Sequence, residues 1–98
     1  MNTTGTNNTA VGKAALIANT VGNANTSLGQ NALIANIAGS NNTAMGRNTL
    51  LNNTSGGDNT GLGYQAGHNI ATGQNNTCIG YNSTTPSNSS TNTFTLGN

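Results

Sequence analysis

The sequence has very little charge and few of the side chains that carry catalytic chemistry. Among 98 residues there are two Lys or Arg, one Asp or Glu, one His, one Cys and no Trp. A carboxylate pair, a metal centre or a catalytic triad needs several such groups held together. Asp58, Lys13, Arg47 and His68 are too few to build one. We therefore expect no enzyme activity, no metal site and no cofactor.

The same shortages exclude two classes of partner. Binding to nucleic acid depends on clustered Lys and Arg that displace counterions from phosphates, and the two basic residues here stand far apart in the chain. No apolar run reaches the ~20 residues of a membrane span. The start of the chain, residues 1–4, lacks the basic and apolar regions of a signal peptide. We predict no nucleic-acid partner and no insertion into a membrane.

Asn, Thr and Gly make up more than half of the chain, and the glycines reveal a repeat. One glycine column has a spacing of 17 residues: Gly12, Gly29, Gly46, Gly63, Gly80 and Gly97. A second column keeps the same spacing seven residues earlier: Gly5, Gly22, Gly39, Gly56 and Gly73. Two glycine columns in register indicate a repeat protein with a 17-residue unit. We predict that both columns form turns.

Three further columns share this register. Asparagines that precede a threonine form a predicted ladder: Asn8, Asn25, Asn42, Asn59 and Asn76. Apolar residues that precede the anchor glycines form the predicted core: Val11, Leu28, Met45, Leu62, Ile79 and Leu96. Long polar or aromatic residues that follow those glycines form a predicted binding strip: Lys13, Gln30, Arg47, Tyr64 and Tyr81.

The unit is too short for a helix pair and too rich in Asn, Thr and Gly to favour helices. It predicts an all-β fold, a parallel β-solenoid in which each 17-residue coil supplies two short strands and two turns. In the strand before each anchor glycine, Thr9 and Val11 should share one face and Ala10 the other. Stacked coils place identical Asn side chains above one another, where they can form amide ladders.

The register divides the chain into three parts. Residues 1–83 are predicted to form about five coils, residues 84–92 a polar loop with the only proline, and residues 93–98 the start of a partial sixth coil. One or two apolar residues per coil give a thin core, and chains with so little apolar surface complete their core by association. We expect a homotrimer, an end-to-end filament, or both.

Four of the repeats resemble a known family. They are Asn-Thr-Ala-Val-Gly at 8–12, Asn-Thr-Ser-Leu-Gly at 25–29, Asn-Thr-Ala-Met-Gly at 42–46 and Asn-Thr-Cys-Ile-Gly at 76–80. These resemble the head repeats of YadA-type trimeric autotransporter adhesins and the Asn-Thr-Ala-x-Gly repeats of phage and viral tail fibres. The resemblance covers about residues 5–83, and the period is longer than in the adhesin heads. It implies a left-handed, trimeric β-roll in an extracellular or virion fibre that attaches to surfaces.

Three hypotheses for function follow, all of them non-enzymatic, and the third is a self-assembling extracellular filament subunit. In the first, the chain is a structural and adhesive fibre module whose predicted binding strip contacts a cell-surface glycan or protein receptor. The simpler alternative for that strip is a solvated outer edge. In the second, the chain resembles the β-rolls of grass ice-binding proteins, and the threonine column binds ice: Thr9, Thr26, Thr43, Thr60 and Thr77.

Acceptor patterns for N-glycosylation, Asn-x-Ser/Thr, occur throughout the repeat. They begin at Asn2, Asn7, Asn25, Asn41, Asn52, Asn53, Asn75, Asn82 and Asn88. In a secreted eukaryotic protein the outward asparagines could carry sugar, and inward ladder asparagines could not.

Overall fold

The computed structural model describes residues 2–97, and the regular elements within that range are six strands of three residues each. They are β1 (Thr9–Val11), β2 (Thr26–Leu28), β3 (Thr43–Met45), β4 (Thr60–Leu62), β5 (Thr77–Ile79) and β6 (Phe94–Leu96). All neighbouring strands pair in parallel, in the order β1-β2-β3-β4-β5-β6. The predicted all-β parallel solenoid is therefore confirmed.

The stacking keeps the 17-residue register that the glycines indicated. Thr9 lies opposite Thr26 at the start of the sheet, and Thr77 lies opposite Phe94 at its end. The hydrogen bonds between coils repeat outside the strands as well. The amide of Asn31 donates to the carbonyl of Lys13 at 2.9 Å, and that of Asn48 donates to Gln30 at 2.9 Å. Each coil is thus held to the next along most of its length.

Each coil contains one strand, and the prediction of a second strand is wrong. In the first coil that strand was expected after Gly12, where the backbone instead forms turns through residues 13–18. Ala14 and Leu16 have left-handed φ angles of 61° and 56°. An extended strand requires strongly negative φ at every residue, so left-handed residues at alternate positions fold this side of the coil into consecutive turns.

Both glycine columns allow adjacent coils to approach closely, since a Cβ on the anchor Gly29 would lie 2.7 Å from the backbone of Gly46, but they differ in backbone conformation. The anchor glycines have positive φ, 129° at Gly29 and at Gly46, a backbone conformation that a residue with a Cβ rarely adopts. The second column, exemplified by Gly39, does not share that property. A Cβ on Gly39 would collide with the carbonyl oxygen of Gly56 in the next coil. The second column therefore permits close stacking of coils.

The interior is narrow and is filled by small residues and one column of leucines. The buried apolar residues are Leu16, Ala32, Leu33, Ala44, Leu50, Ala66, Ile70 and Cys78. In β2 to β5 the middle residue is buried, as Ala44 is in β3, whereas in the end strands Ala10 is exposed and Thr95 is half-buried. The flanking residues point outward because side chains alternate along a strand.

The predicted core column therefore lies on the outside of the chain. Its members are Val11, Leu28, Met45, Leu62, Ile79 and Leu96. Exposure within this column runs from 39% at Met45 to 68% at Leu96, and Ile79 is half-buried. The prediction is wrong for a single chain because the thin interior admits only the small middle residue of each strand. The large apolar residue two positions from the threonine shares the threonine's outward face.

The core changes composition at the coil of β4. Gly67 stands where earlier coils have Leu33 and Leu50, and Ile70 stands where earlier coils have asparagine. A Cβ on Gly67 would lie 2.7 Å from Leu50 Cδ2 and 3.3 Å from Ile70 Cδ1. Ile70, which is fully buried, thus occupies space that a leucine at position 67 would need. The two changes compensate each other.

We predict that restoring the earlier pattern in this coil requires both substitutions. Gly67→Leu alone should destabilise by overpacking against Ile70, by about 1–3 kcal/mol. Ile70→Asn alone should cost about 2–5 kcal/mol because it empties part of the core. The double variant should lose less than the sum, with a coupling of about 1–3 kcal/mol measured by urea unfolding. Additive losses would contradict the compensation.

The polar segment 84–92 keeps the stacking pattern of a coil. The carbonyl of Asn88 accepts hydrogen bonds from the amides of Ala71, Thr72 and Gly73, at 2.9 to 3.1 Å. The equivalent carbonyl one coil earlier, that of Ala71, accepts from Thr54, Ser55 and Gly56 in the same way.

No helix within residues 2–97 has the length and apolar character needed to cross a membrane.

Candidate functional site

The predicted binding strip forms one exposed column along the solenoid. Its members directly follow the anchor glycines, and all five are exposed: Lys13, Gln30, Arg47, Tyr64 and Tyr81. The rings of Tyr64 and Tyr81 stack with centroids 5.6 Å apart and an interplanar angle of 18°. The guanidinium carbon of Arg47 lies 5.7 Å from the Tyr64 ring centroid. The 17-residue register thus brings residues of three coils into contact.

This stack limits what the strip can bind. Arg47 and Tyr81 belong to the coils on either side of Tyr64, so both faces of that ring are occupied. Tyr64 can offer a ligand its hydroxyl and its ring edge, and the stacking of a sugar on this ring is excluded. A stacked aromatic pair contributes about 0.5–1.5 kcal/mol to stability. The strip therefore stabilises neighbouring coils as well as presenting polar groups.

A second outward surface runs along the six strands, and we name it the strand face. It has a threonine column, in which Phe94 takes the sixth position, and the apolar column predicted as the core. Its residues are Thr9, Thr26, Thr43, Thr60, Thr77, Phe94, Val11, Leu28, Met45, Leu62, Ile79 and Leu96. Stacking at ~4.8 Å per coil makes the apolar column continuous along the axis. Contiguous exposed apolar surface of this kind marks an interaction site.

The asparagine ladder bonds mainly to backbone, and the expected amide-to-amide bond occurs at one step, where Asn76 Nδ2 donates to Asn59 Oδ1 at 3.1 Å. Asn42 is typical of the column Asn8, Asn25, Asn42, Asn59 and Asn76. Its Nδ2 donates to the carbonyl of Gly56 at 2.8 Å, and its Oδ1 accepts from the backbone amide of Asn59 at 2.9 Å. Each of these asparagines closes a corner and joins it to the next coil. They hold the strand face in place.

A second asparagine column makes the amide-to-amide ladder, and the sequence analysis missed it. Asn36 Nδ2 donates to Asn19 Oδ1 at 2.8 Å, and Asn53 Nδ2 donates to Asn36 Oδ1 at 2.9 Å. Asn19 in turn donates to Asn2 Oδ1 at 2.6 Å. The 17-residue spacing of these four asparagines was visible in the sequence. Ile70 interrupts the column, so it is shorter than the ladder that precedes each threonine.

His68 and Cys78 occupy structural positions. His68 takes the place of Ile34 and Leu51 in the earlier coils, and its Nε2 lies 2.8 Å from Asn82 Oδ1. Cys78 is buried in the column of small inward residues. Within residues 2–97, no three His, Cys, Asp or Glu side chains come together as a metal site would require. No pocket is detected in this part of the chain.

The geometry is that of an extended surface, with no enclosed site among the described residues. Each outward column places one side chain per coil at a fixed spacing along the axis. Surfaces of this kind bind another extended surface or a second chain. Comparisons with family models, with curated proteins and with solved structures found no match to this chain.

Proposed function

We propose that the chain is a non-enzymatic structural and adhesive module of an extracellular or virion fibre. The observation that supports this most directly is the strand face, a continuous apolar column exposed on a solenoid whose coils are hydrogen-bonded throughout. Such a solenoid resists bending because each coil is tied to its neighbours by strand, turn and side-chain bonds. A fibre module needs that stiffness together with a surface for association.

In this proposal three copies assemble through the strand face as a homotrimer of left-handed β-rolls. The outward apolar residues, such as Leu28, Met45 and Leu62, then become the core that the single chain lacks. The face carries no charged residue, so its burial leaves no unpaired charge. Charged and aromatic residues of the predicted binding strip remain at the outer edge of the trimer.

The trimer predicts a mass in solution. Light scattering should give three times the 9.7 kDa of the chain. Met45→Lys, which places a charge at the centre of the strand face, should shift the mass to that of a monomer, because burial of an unpaired charge strongly opposes association. Gln30→Lys adds the same charge on the outer strip and should leave the trimer intact. A native protein of monomeric mass, or dissociation by both substitutions, would contradict this interface.

Attachment through the predicted binding strip is tested by its tyrosines. The native protein should bind cell-surface glycans or receptor-bearing cells, measured on a glycan array and by cell adhesion. Replacement of Tyr64 and Tyr81 by Ala should weaken that binding while the circular dichroism spectrum is retained. Binding that survives the double replacement would show that attachment uses a different surface.

The strand face also supports a second candidate function, ice binding. The threonines of β1 to β5 lie in register and point outward, which gives the flat, regular hydroxyl array that ice binding requires. Phe94 and the bulky column beside the threonines make this candidate the weaker one. A thermal-hysteresis assay separates the two functions because a fibre module should show no hysteresis. Hysteresis lost on replacement of Thr43 by a bulky residue would establish ice binding.

A further inference from the structure

The structure separates the nine acceptor patterns for N-glycosylation into distinct classes. Asn25 and Asn53 are fully buried in the two asparagine columns. Their Nδ2 atoms donate to the carbonyls of Gly39 and Gly56 at 2.8 Å and 2.9 Å. A sugar on either Nδ2 would break these bonds and would have no room between coils. Both sites are excluded in the folded protein.

Four other acceptor amides are engaged by neighbours. Asn2 donates to Gly5, Asn52 to His68 and Asn75 to Asn92, at distances of 2.6, 2.7 and 2.7 Å. Asn82 is half-buried, and its Oδ1 lies 2.8 Å from the ring Nε2 of His68, which fixes the side chain through its carbonyl oxygen. A transferase must free each of these side chains before it can react.

At Asn88 the amide makes no side-chain hydrogen bond within residues 2–97, but the hydroxyl of its acceptor pattern is engaged. That hydroxyl belongs to Ser90, which accepts from the Ser87 amide at 2.9 Å and pairs with the Ser87 hydroxyl at 3.2 Å. The acceptor pattern requires this hydroxyl together with the amide. Asn88 is therefore a poor acceptor in the fold.

Asn7 and Asn41 remain, and they share one structural position. Each is exposed at the corner that precedes a strand, with a left-handed φ of 61°. Within residues 2–97 neither side chain makes a hydrogen bond, and neither do the hydroxyls of Thr9 and Thr43 that complete their acceptor patterns. These are the two patterns in which neither the amide group, through Nδ2 or Oδ1, nor the hydroxyl makes a hydrogen bond within residues 2–97.

The residues at the same corner in the other coils explain why these two amides are free. Ala24 lies between Asn7 and Asn41 in the corner column, and Asp58 follows Asn41. Where two asparagines occupy adjacent corners, as at Asn75 and Asn92, their side chains bond to each other. Alternation of acceptor and non-acceptor corners also separates the two sites by two coils, about 10 Å.

We propose that Asn7 and Asn41 are acceptor sites for N-linked sugar, added from a nucleotide-activated sugar donor to the folded chain before association covers the strand face, which includes Thr9 and Thr43. In this transfer the Asn Nδ2 forms a bond to the anomeric carbon, and the bond from that carbon to the nucleotide diphosphate oxygen breaks. The nucleoside diphosphate leaves with the bonding electrons, and one Nδ2 proton passes to a base of the transferase. Addition before folding would also modify Asn25 and Asn53 and prevent the coils from stacking.

The test uses the folded Met45→Lys protein, whose strand face is expected to be uncovered, with UDP-glucose, a soluble transferase specific for Asn-x-Ser/Thr and peptide mapping by mass spectrometry. One hexose is expected at Asn7 and one at Asn41, and none at Asn25, whereas a short peptide of residues 22–30 should be modified. Asn75 should react several-fold more slowly than Asn41. Asn92→Ala removes the partner of Asn75 and should raise its rate to that of Asn41.

Two results would overturn the proposal. One is a folded protein in which Asn7 and Asn41 stay unmodified, or react no faster than Asn75, while the peptide is modified. The other concerns the protein isolated from its natural source, in which peptides that contain Asn7 and Asn41 are expected to carry sugar. Unmodified Asn7 and Asn41 in that material would show that these corners are not used as acceptors.

Discussion

Replacement of Gly56 by Ala should destabilise the solenoid by about 3 kcal/mol or more, at the upper end of the cost of overpacking. A Cβ at this position would collide with the carbonyl oxygen of Gly73 and lie 2.5 Å from Asn53 Oδ1 and 3.0 Å from Asn59 Nδ2. Asn59 Nδ2 donates to the Gly73 carbonyl of the next coil at 2.8 Å and to Asn53 Oδ1 at 3.5 Å, so these atoms link the two asparagine columns and join adjacent coils. Relief of the collision must therefore separate the coils or break the columns.

The neighbouring glycine supplies the matched control. A Cβ on Gly57 would have one close neighbour within the described residues, the carbonyl oxygen of Ser40 at 3.1 Å. Gly57→Ala also restricts the unfolded chain, which offsets part of a small steric cost. We expect its free energy of unfolding to stay within about 1 kcal/mol of the native value. Urea unfolding followed by circular dichroism measures both variants, and equal losses would refute the role assigned to the second glycine column.

The contrast between Gly56 and Gly57 shows what the sequence can and cannot reveal. Recurrence at 17 residues identified Gly56 as a member of a column and left Gly57 outside it, which agrees with the contacts that a Cβ would make at each position. It did not reveal that the anchor glycines need positive φ in addition to the close packing that both columns share. Both requirements are properties of the stacked structure.

The sequence-based prediction that the apolar column points into the core was also wrong for the single chain. The predicted alternation is seen in β2 to β5, where a buried middle residue lies between two more exposed ones, while Thr9, Ala10 and Val11 of β1 are all exposed. The apolar column was then assigned to the core because large apolar residues are usually buried. A coil this narrow reverses that rule, since only Ala, Ser, Gly, Cys or Thr fits inside the strands. The reversal leaves Val11 and its column on the surface, where the fibre proposal uses them.

The paired changes in this coil, Gly67 in place of leucine and Ile70 in place of asparagine, could not be interpreted from single columns of the repeat. Each substitution considered alone looks like decay of the repeat. Only the packing of Ile70 beside Leu50 shows that one change fills the space that the other leaves. Compensation between columns can be recognised from sequence only when the columns are known to be neighbours across the interior.

Replacement of Asn42 by Asp should have the second large effect, and the effect should depend on pH. Asn42 is fully buried, donates through Nδ2 to Gly56 and accepts through Oδ1 from the amide of Asn59. A carboxylate at position 42 can still accept from the Asn59 amide. It loses the bond to Gly56 because its second oxygen would face the Gly56 carbonyl oxygen. A buried and uncompensated charge costs about 3–5 kcal/mol, so the Asn42→Asp protein should lose that much stability at pH 7.

Acid should restore much of the loss. Burial disfavours the charged form and raises the pKa of the new carboxyl above its unfolded value of about 3.9. A group whose pKa is raised on folding contributes stability that is fully present below the unfolded pKa and is lost as the pH rises through the folded pKa. The protonated carboxyl can also donate to the Gly56 carbonyl, as the amide does. The difference between Asn42→Asp and native protein should therefore shrink between pH 7 and pH 4.

Asn41 provides the control for charge alone. It is exposed, precedes Asn42 directly and occupies a corner that holds an acid, Asp58, in the next coil. Asn41→Asp should change the free energy of unfolding by about 0.5 kcal/mol or less at pH 7 and pH 4. Urea unfolding of the two variants at both pH values gives the comparison. Two outcomes would show that the buried amide is not the donor that holds adjacent coils together. One is a loss of unfolding free energy for Asn42→Asp at pH 7 that is no greater than that for Asn41→Asp. The other is a loss for Asn42→Asp that is the same at pH 4 as at pH 7.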